Sequence, residues 1–328
     1  MIKALVTGAG AVLGQGIIRS LQQSELDLRI VAADPNPLSA GLFWVDAGRR
    51  IPLASDPAYV GAIRGLLADE RPDVVLVGTD VELAIFAEHR AAWEEEFGTS
   101  IIVSSPHVVR IADDKYLTYQ FLRAHGFNPP ETALADDPEG CARLIREVGF
   151  PLIVKPRIGA RSVGVSEVRT VEALKAAVAG RAGLVIQECV GDAECEYTAS
   201  AVVFDGKAAA TIVMRRDLRD GNTYRAYAEA FPALNAEVAA LGEALKPYGP
   251  ANFQFRTDRE GKARVFEINA RFSGATPLRA LVGFNEVEMC IRHVLHGHQV
   301  AQPAVAPAIL LRFLSETLVR PEELEGIG

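Results

Sequence analysis

The chain has 328 residues, 49% of them hydrophobic and 23% charged, a balance that excludes disorder and predicts two or three packed units. Its net charge is −8 and its Lys and Arg residues are scattered, which excludes a nucleic-acid partner; any bound anion must be caught by a few placed cations and backbone N–H groups. Cys141, Cys189, Cys195 and Cys290 form no CxxC pair, and no apolar run reaches bilayer length, so the expectation is a cytoplasmic protein with no membrane partner.

Apolar runs at residues 2–6, 30–33 and 73–77 each end in a turn signal, a fourth lies at 101–103, and helical periodicity follows the first and third. Alternating strands and helices predict a doubly wound parallel sheet over residues 1–110. A polar helix over residues 113–125 carries Lys115 and opens a second, α+β unit at 111–186, with a strand at 151–155, a glycine-containing loop at 159–164 and a strand at 184–187. The third unit, 187–328, shows strands at 198–204, 208–214, 251–257 and 263–268, for which antiparallel pairing is expected, and helices near 235–245 and 286–295.

Chemistry concentrates in the third unit. Residues two apart on a strand share a face, so Glu267, Asn269 and Arg271 project together while Phe266, Ile268 and Ala270 point to the core. A neighbouring strand brings Gln254 beside them, and these oxygens suit Mg²⁺ while Arg271 suits phosphate; a solvated sheet face displays the same alternation. In the second unit Lys155 ends an apolar strand before Gly159, Arg161, Ser162 and Gly164, a loop able to cover a phosphate and equally readable as a plain hairpin turn. The strand end at Glu188, Cys189 and Val190 offers backbone groups to an adenine edge, with Glu196 placed for ribose hydroxyls or, in the bland alternative, as a surface glutamate. Arg215, Arg216 and Arg225 surround a turn as candidate anion contacts, against an exposed charged hairpin, and Arg279 is a candidate for a substrate carboxylate.

In this order the segments resemble the ATP-grasp superfamily, in particular its carbamoyl-phosphate-synthase-like and carboxylate–amine ligase branch. The resemblance implies an N-terminal Rossmann-like domain followed by two α+β subdomains that clamp ATP. It implies that Lys115 and Lys155 contact ATP phosphates under a mobile loop Gly159–Gly164, that Glu188 and the backbone at Cys189 and Val190 hold adenine, and that Glu196 meets ribose. Gln254, Glu267 and Asn269 then bind two Mg²⁺ ions, or Mn²⁺; Gln254 stands where some members carry an acid, but the carbamoyl-phosphate-synthase branch has glutamine there, so the resemblance implies two ions with a weaker first site. Arg271, Lys155 and Arg216 are the residues expected to act on the transferring phosphoryl group.

The implied reaction is ADP-forming activation of a small-molecule carboxylate as an acyl phosphate, captured by an amine; a homodimer is expected only because dimers are the commonest assembly of soluble enzymes. The alternative within the family is a carbamoyl-phosphate-synthase-like phosphotransferase on bicarbonate or carbamate; a complete synthase resembles two such units in tandem, and this length holds one. Outside the family, Gly8-x-Gly10-x-x-x-Gly14 with Asp34 about twenty residues on suggests an NAD(P)-dependent oxidoreductase, but the glycine spacing departs from the dinucleotide fingerprint. A nucleotide sensor that only binds has less need of the Glu267–Asn269 pair.

Overall fold

The computed structural model describes residues 1–159, 163–191 and 195–327. The first sheet is fully parallel and holds β1 (Ile2–Thr7), β2 (Leu28–Asp34), β3 (Ala47–Arg50), β4 (Val74–Leu76) and β5 (Ser100–Ile102) in the order β3-β2-β1-β4-β5. Helices α1 (Val12–Gln22), α2 (Tyr59–Glu70) and α3 (Asp80–Phe97) connect these strands. Leu5, Val31, Val75 and Ile101 pack with Ile63, Leu67 and Phe86, whereas Val6, Ile30, Ala32 and Leu76 pack with Ile17 and Leu21. Strands buried on both faces must be apolar at successive positions, which is why β1 and β2 read as unbroken runs.

The glycines after β1 serve backbone packing. A Cβ on Gly14 would lie 2.1 Å from the Gly8 carbonyl oxygen, and one on Gly78 would lie 2.0 Å from that of Thr7. Asp34 is absorbed locally, accepting from the Gly10 N–H at 2.7 Å, the Asn36 N–H at 3.0 Å and Ser39 Oγ at 2.6 Å. Both dinucleotide-like features therefore have a structural explanation.

The helix expected over residues 113–125 is α5 (Lys115–Ala124); a further helix, α4 (Pro106–Asp113), precedes it and is separated from it at Asp114. Asp114 is extended and caps α5, accepting from the N–H groups of Tyr116 at 2.9 Å and Leu117 at 3.3 Å. An antiparallel sheet follows in the order β6-β9-β7-β8, from β6 (Thr132–Leu134), β7 (Leu152–Pro156), β8 (Ser166–Val168) and β9 (Leu184–Glu188). Helices α6 (Pro138–Val148) and α7 (Val171–Val178) supply Leu144 and Leu174 to a core with Leu152, Val154 and Ile186. The alternate residues Ile153, Lys155 and Gln187 face the other way.

The largest sheet is antiparallel in the order β14-β13-β10-β11-β12-β15. It comprises β10 (Glu196–Phe204), β11 (Lys207–Arg219), β12 (Asn222–Ala228), β13 (Gly249–Thr257), β14 (Ala263–Asn269) and β15 (Ala308–Leu311), with α8 (Pro232–Leu245), α9 (Thr276–Leu281), α10 (Glu286–His296) and α11 (Pro321–Glu325). Val238 and Leu241 of α8 pack on one face, against Ala199, Val213, Phe253 and Phe255. Val202, Ile212 and Met214 on the other face share a core with α1, α9 and α10. Among the described residues no helix is long and apolar enough to cross a membrane.

Arg279 is a correction. It is fully buried, with Nη1 3.0 Å from Glu286 and Nη2 2.7 Å from Asn252 Oδ1 and 3.1 Å from Thr198 Oγ1, so it has no surface to offer a substrate carboxylate. Glu286 is equally buried and accepts further hydrogen bonds from Ser200 and Thr276. Removing one member of a buried pair strands the other charge. Arg279→Met is expected to cost about 3–5 kcal/mol in urea unfolding, and replacing Glu286 as well should recover much of it; a single-variant loss within experimental error would contradict this role.

Candidate active site

The outward faces of the second and third sheets enclose a cleft of about 1000 Å³, counting its open mouth. Lys115 reaches it because Asp114 stops α4 and starts α5 at the rim. Arg157 locks this break, pairing with Asp114 Oδ2 at 2.5 Å while its carbonyl accepts from the Lys115 N–H at 3.0 Å. Lys115 Nζ donates to the Gly159 carbonyl at 2.7 Å. Lys155 enters from β7, its Nζ 2.7 Å from Gln187 Oε1 and 3.4 Å from the Phe266 carbonyl. Gln187 is fixed in turn by donating to Thr132 Oγ1 at 2.9 Å.

Of the expected loop, Gly159 lines the cleft and Gly164 lies beside it with φ +75°, while Arg161 and Ser162 fall outside the described residues. Val163 and Val165 also line the cleft. Glu188, Cys189 and Val190 form its back edge, but Glu188 spends its carboxylate on Arg264 at 2.5 Å and the Glu131 N–H at 3.0 Å. The Val190 carbonyl accepts from Arg256 Nη1 at 3.2 Å.

Glu196, Thr198, Gln254, Glu267, Met214 and Arg216 share one face of the third sheet, because the strand registers place them opposite one another or two apart. Glu196 Oε1 accepts from Arg216 Nη2 at 2.8 Å, and Oε2 accepts from Arg256 Nε at 3.1 Å and Nη2 at 3.0 Å. The ribose-side carboxylate of the sequence reading is thus held between two guanidinium groups at the cleft wall. Arg216 Nη2 also donates to Gln254 Oε1 at 2.9 Å.

Glu267 and Asn269 stand two apart on β14, with Asn269 Nδ2 3.2 Å from Glu267 Oε1. Arg271 Nη2 donates to Asn269 Oδ1 at 2.9 Å, and the same guanidinium grips Asp80, at the start of α3, at 2.7 and 3.2 Å. Phe266 does not point to the core as alternation predicts. A β-bulge between Gln254 and Phe255 leaves it without a register partner, so it and Glu267 both line the cleft.

Arg215 and Arg225 are further corrections. They project from the opposite face to Arg216, where Arg215 stacks on Tyr227 at 3.8 Å and Arg225 pairs with Asp217 at 3.5 Å. They are away from the cleft because β11 continues as a strand to Arg219, so neighbouring arginines alternate faces. The sequence reading missed Arg256, which lines the cleft two residues beyond Gln254, and Leu218 and Gly221 of the β11–β12 hairpin. The same alternation that grouped Glu267 with Asn269 would have found Arg256.

This architecture defines an ATP-grasp fold. Residues 112–235 match the RimK-like ATP-grasp domain, and residues 183–317 match the family described as ATP-grasp in the biosynthetic pathway with Ter operon. The chain is 24% identical over 331 residues to the carbamoyl phosphate synthase large chain of Methanosarcina mazei, an alignment covering 91% of this chain and 30% of that protein. It thus spans about a third of the length of the curated relatives it matches. N5-carboxyaminoimidazole synthetase from Staphylococcus aureus complexed with ADP superposes with a TM-score of 0.75 at 14% identity, covering 95% of this chain and 82% of that one. The biotin carboxylase domain of Hydrogenobacter thermophilus 2-oxoglutarate carboxylase, in complex with MgADP, ADP and bicarbonate, gives 0.69 at 18% identity, covering 92% and 72%. Both family models are of ATP-grasp domains, and together they match residues 112–317 of the chain.

Burial, reinforced by Lys115, pulls the Lys155 ammonium down from its usual 10.5 to about 7, against the attraction of Glu267 and Glu196. The penalised form is the charged one, so in the free protein Lys155 is mostly neutral above that pH and charged below it. A bound polyphosphate favours the charged form and raises the pKa again. ADP binding at about pH 8 is therefore expected to take up a substantial fraction of a proton. Calorimetry in two buffers of different ionisation enthalpy measures this; uptake that survives in Lys155→Met would contradict it.

Proposed function

We infer that the chain is an ATP-dependent, ADP-forming ligase that activates a small-molecule carboxylate as an acyl phosphate for capture by an amine. The observation that carries this reading is the convergence of Lys115, Lys155 and Arg216 in one cleft with Glu267, on the fold that binds ADP in the neighbouring structures. The cations would neutralise repulsion between the attacking carboxylate and the triphosphate, chiefly by fixed electrostatic stabilisation and positioning.

The carboxylate oxygen attacks the γ-phosphorus, the bond to the β,γ-bridging oxygen breaks, and ADP leaves. An amine then attacks the acyl carbon, phosphate leaves with the carbon–oxygen bond pair, and the amine releases a proton. Lys155 and Lys115 would hold the phosphates, Arg271 would face the transferred group once released from Asp80, and the 159–164 segment would exclude water from the acyl phosphate. Glu188, Cys189 and Val190 would border adenine, with Glu196 near the ribose.

The donor chemistry fits Mg²⁺ at Glu267, a hard carboxylate with one 3.2 Å hydrogen bond to Asn269 among the described residues. A bound ion would supply Lewis-acid neutralisation of phosphate charge. A second reading, phosphoryl transfer to bicarbonate or carbamate, is supported by the carbamoyl phosphate synthase relatives.

Release of ADP tests both. The wild type, given Mg-ATP with a panel of carboxylic acids and amines or with bicarbonate, is expected to release ADP only with its own acceptor. Glu267→Gln should lower that rate by roughly a hundredfold or more with its melting temperature unchanged; wild-type turnover in the variant would remove Glu267 from the chemistry. Acceleration by bicarbonate alone would favour the second reading.

A further inference from the structure

Two of the three oxygen donors expected to hold a pair of divalent cations are already engaged by arginines. Gln254 Oε1 accepts from Arg216 Nη2 at 2.9 Å, and Asn269 Oδ1 accepts from Arg271 Nη2 at 2.9 Å. Neither guanidinium is a loose surface group. Arg216 is 6% exposed and anchored to Glu196 at 2.8 Å; Arg271 is anchored by two contacts to Asp80. Arginine cannot shed its charge by deprotonating.

A Mg²⁺ ion on Gln254 Oε1 would sit about 2.1 Å from that oxygen, hence no more than roughly 5 Å from the Arg216 nitrogen bound to it. The resulting repulsion is not offset by the ligand, since Gln254 is neutral. Arg256 already shares Glu196 with Arg216, which leaves Glu267, opposite Gln254 on β14, to neutralise an ion. Arg216 retains capacity for an anion: among the described residues Nε has no hydrogen-bond partner and Nη1 has only a 3.5 Å contact to Thr223.

We propose that Arg216 takes the place of one of the two divalent cations, so that the site holds a single ion on Glu267 and uses the guanidinium as the second, fixed positive charge on the phosphates. The proposal rests on the ATP-dependent reading above. The feature that argues against a second ion is the buried, carboxylate-anchored arginine hydrogen-bonded to the donor at position 254. A one-carboxylate ion completes its shell from phosphate oxygens and water, a common arrangement for Mg²⁺ with nucleotides.

The test is the manganese stoichiometry of the full chain saturated with a non-hydrolysable ATP analogue, from equilibrium dialysis with free Mn²⁺ measured by electron paramagnetic resonance. One Mn²⁺ per bound nucleotide, without an exchange-coupled two-ion signal, is the expected result. Two Mn²⁺ per nucleotide would overturn the proposal while leaving ATP binding intact; failure to retain the nucleotide at any Mn²⁺ concentration would instead overturn the ATP-dependent reading beneath it. In Arg216→Met combined with Gln254→Glu, the guanidinium is gone and an acidic donor restored, so the stoichiometry should rise to two. A folded double variant that still binds one ion would show that Arg216 is not what excludes the second. The wild-type count decides the matter on its own if that variant does not fold.

Discussion

Positive charge held in a partly desolvated cleft is the constraint on which the rest of this structure depends. Among the described residues Lys115, Arg216 and Arg256 line the cleft with Lys155, which burial holds near its neutral form until an anion binds, against three carboxylates, and one of those, Glu188, is matched by Arg264 from outside the lining. The surplus exists in a chain whose net charge is −8, so it is built locally against the global field. Burying such charges costs stability unless they are paired or wait for an anion. Much of the surrounding geometry supports that arrangement: the Gln187–Thr132 relay under Lys155, the Asp114–Arg157 lock that starts α5 at Lys115, and the grip of Arg216 and Arg256 on Glu196.

Below this layer lies a second, fully desolvated one. Arg279 and Glu286 neutralise each other under the strands that carry Gln254 and Glu267, and Asn252 and Thr198 link the pair to β13 and β10. The division of labour follows burial. Arg279, with no exposed surface, braces the sheet, whereas Arg216 and Arg256 line the cleft.

The parallel sheet was legible because a strand buried on both faces must be an unbroken apolar run, and the shared face of Glu267 and Asn269 on β14 was legible because period-two alternation assigns faces without tertiary information. The failures have the same origin. A bulge shifts the phase of alternation, as it does at Phe266, and a strand longer than its apolar core hides which arginines share a face, as in β11 with Arg215, Arg216 and Arg225. Arg279 was unreadable for another reason: its partner Glu286 lies seven residues on, across a turn, and nothing in the sequence separates an arginine awaiting a carboxylate ligand from one already holding a buried glutamate. The helix α4 was missed because it abuts α5 at Asp114 without an intervening loop.

The central claim is that this cleft binds an adenine nucleotide through its phosphates, and thermal stability tests it most directly, since a ligand of the native state raises the melting temperature by mass action. Mg-ADP and Mg-ATP at about a hundredfold their dissociation constants should each add about 2.7 kcal/mol, a shift of several degrees for a chain of this size, while NAD⁺ and NADP⁺ should leave the transition in place. A shift with the dinucleotides and none with Mg-ADP or Mg-ATP would contradict the account.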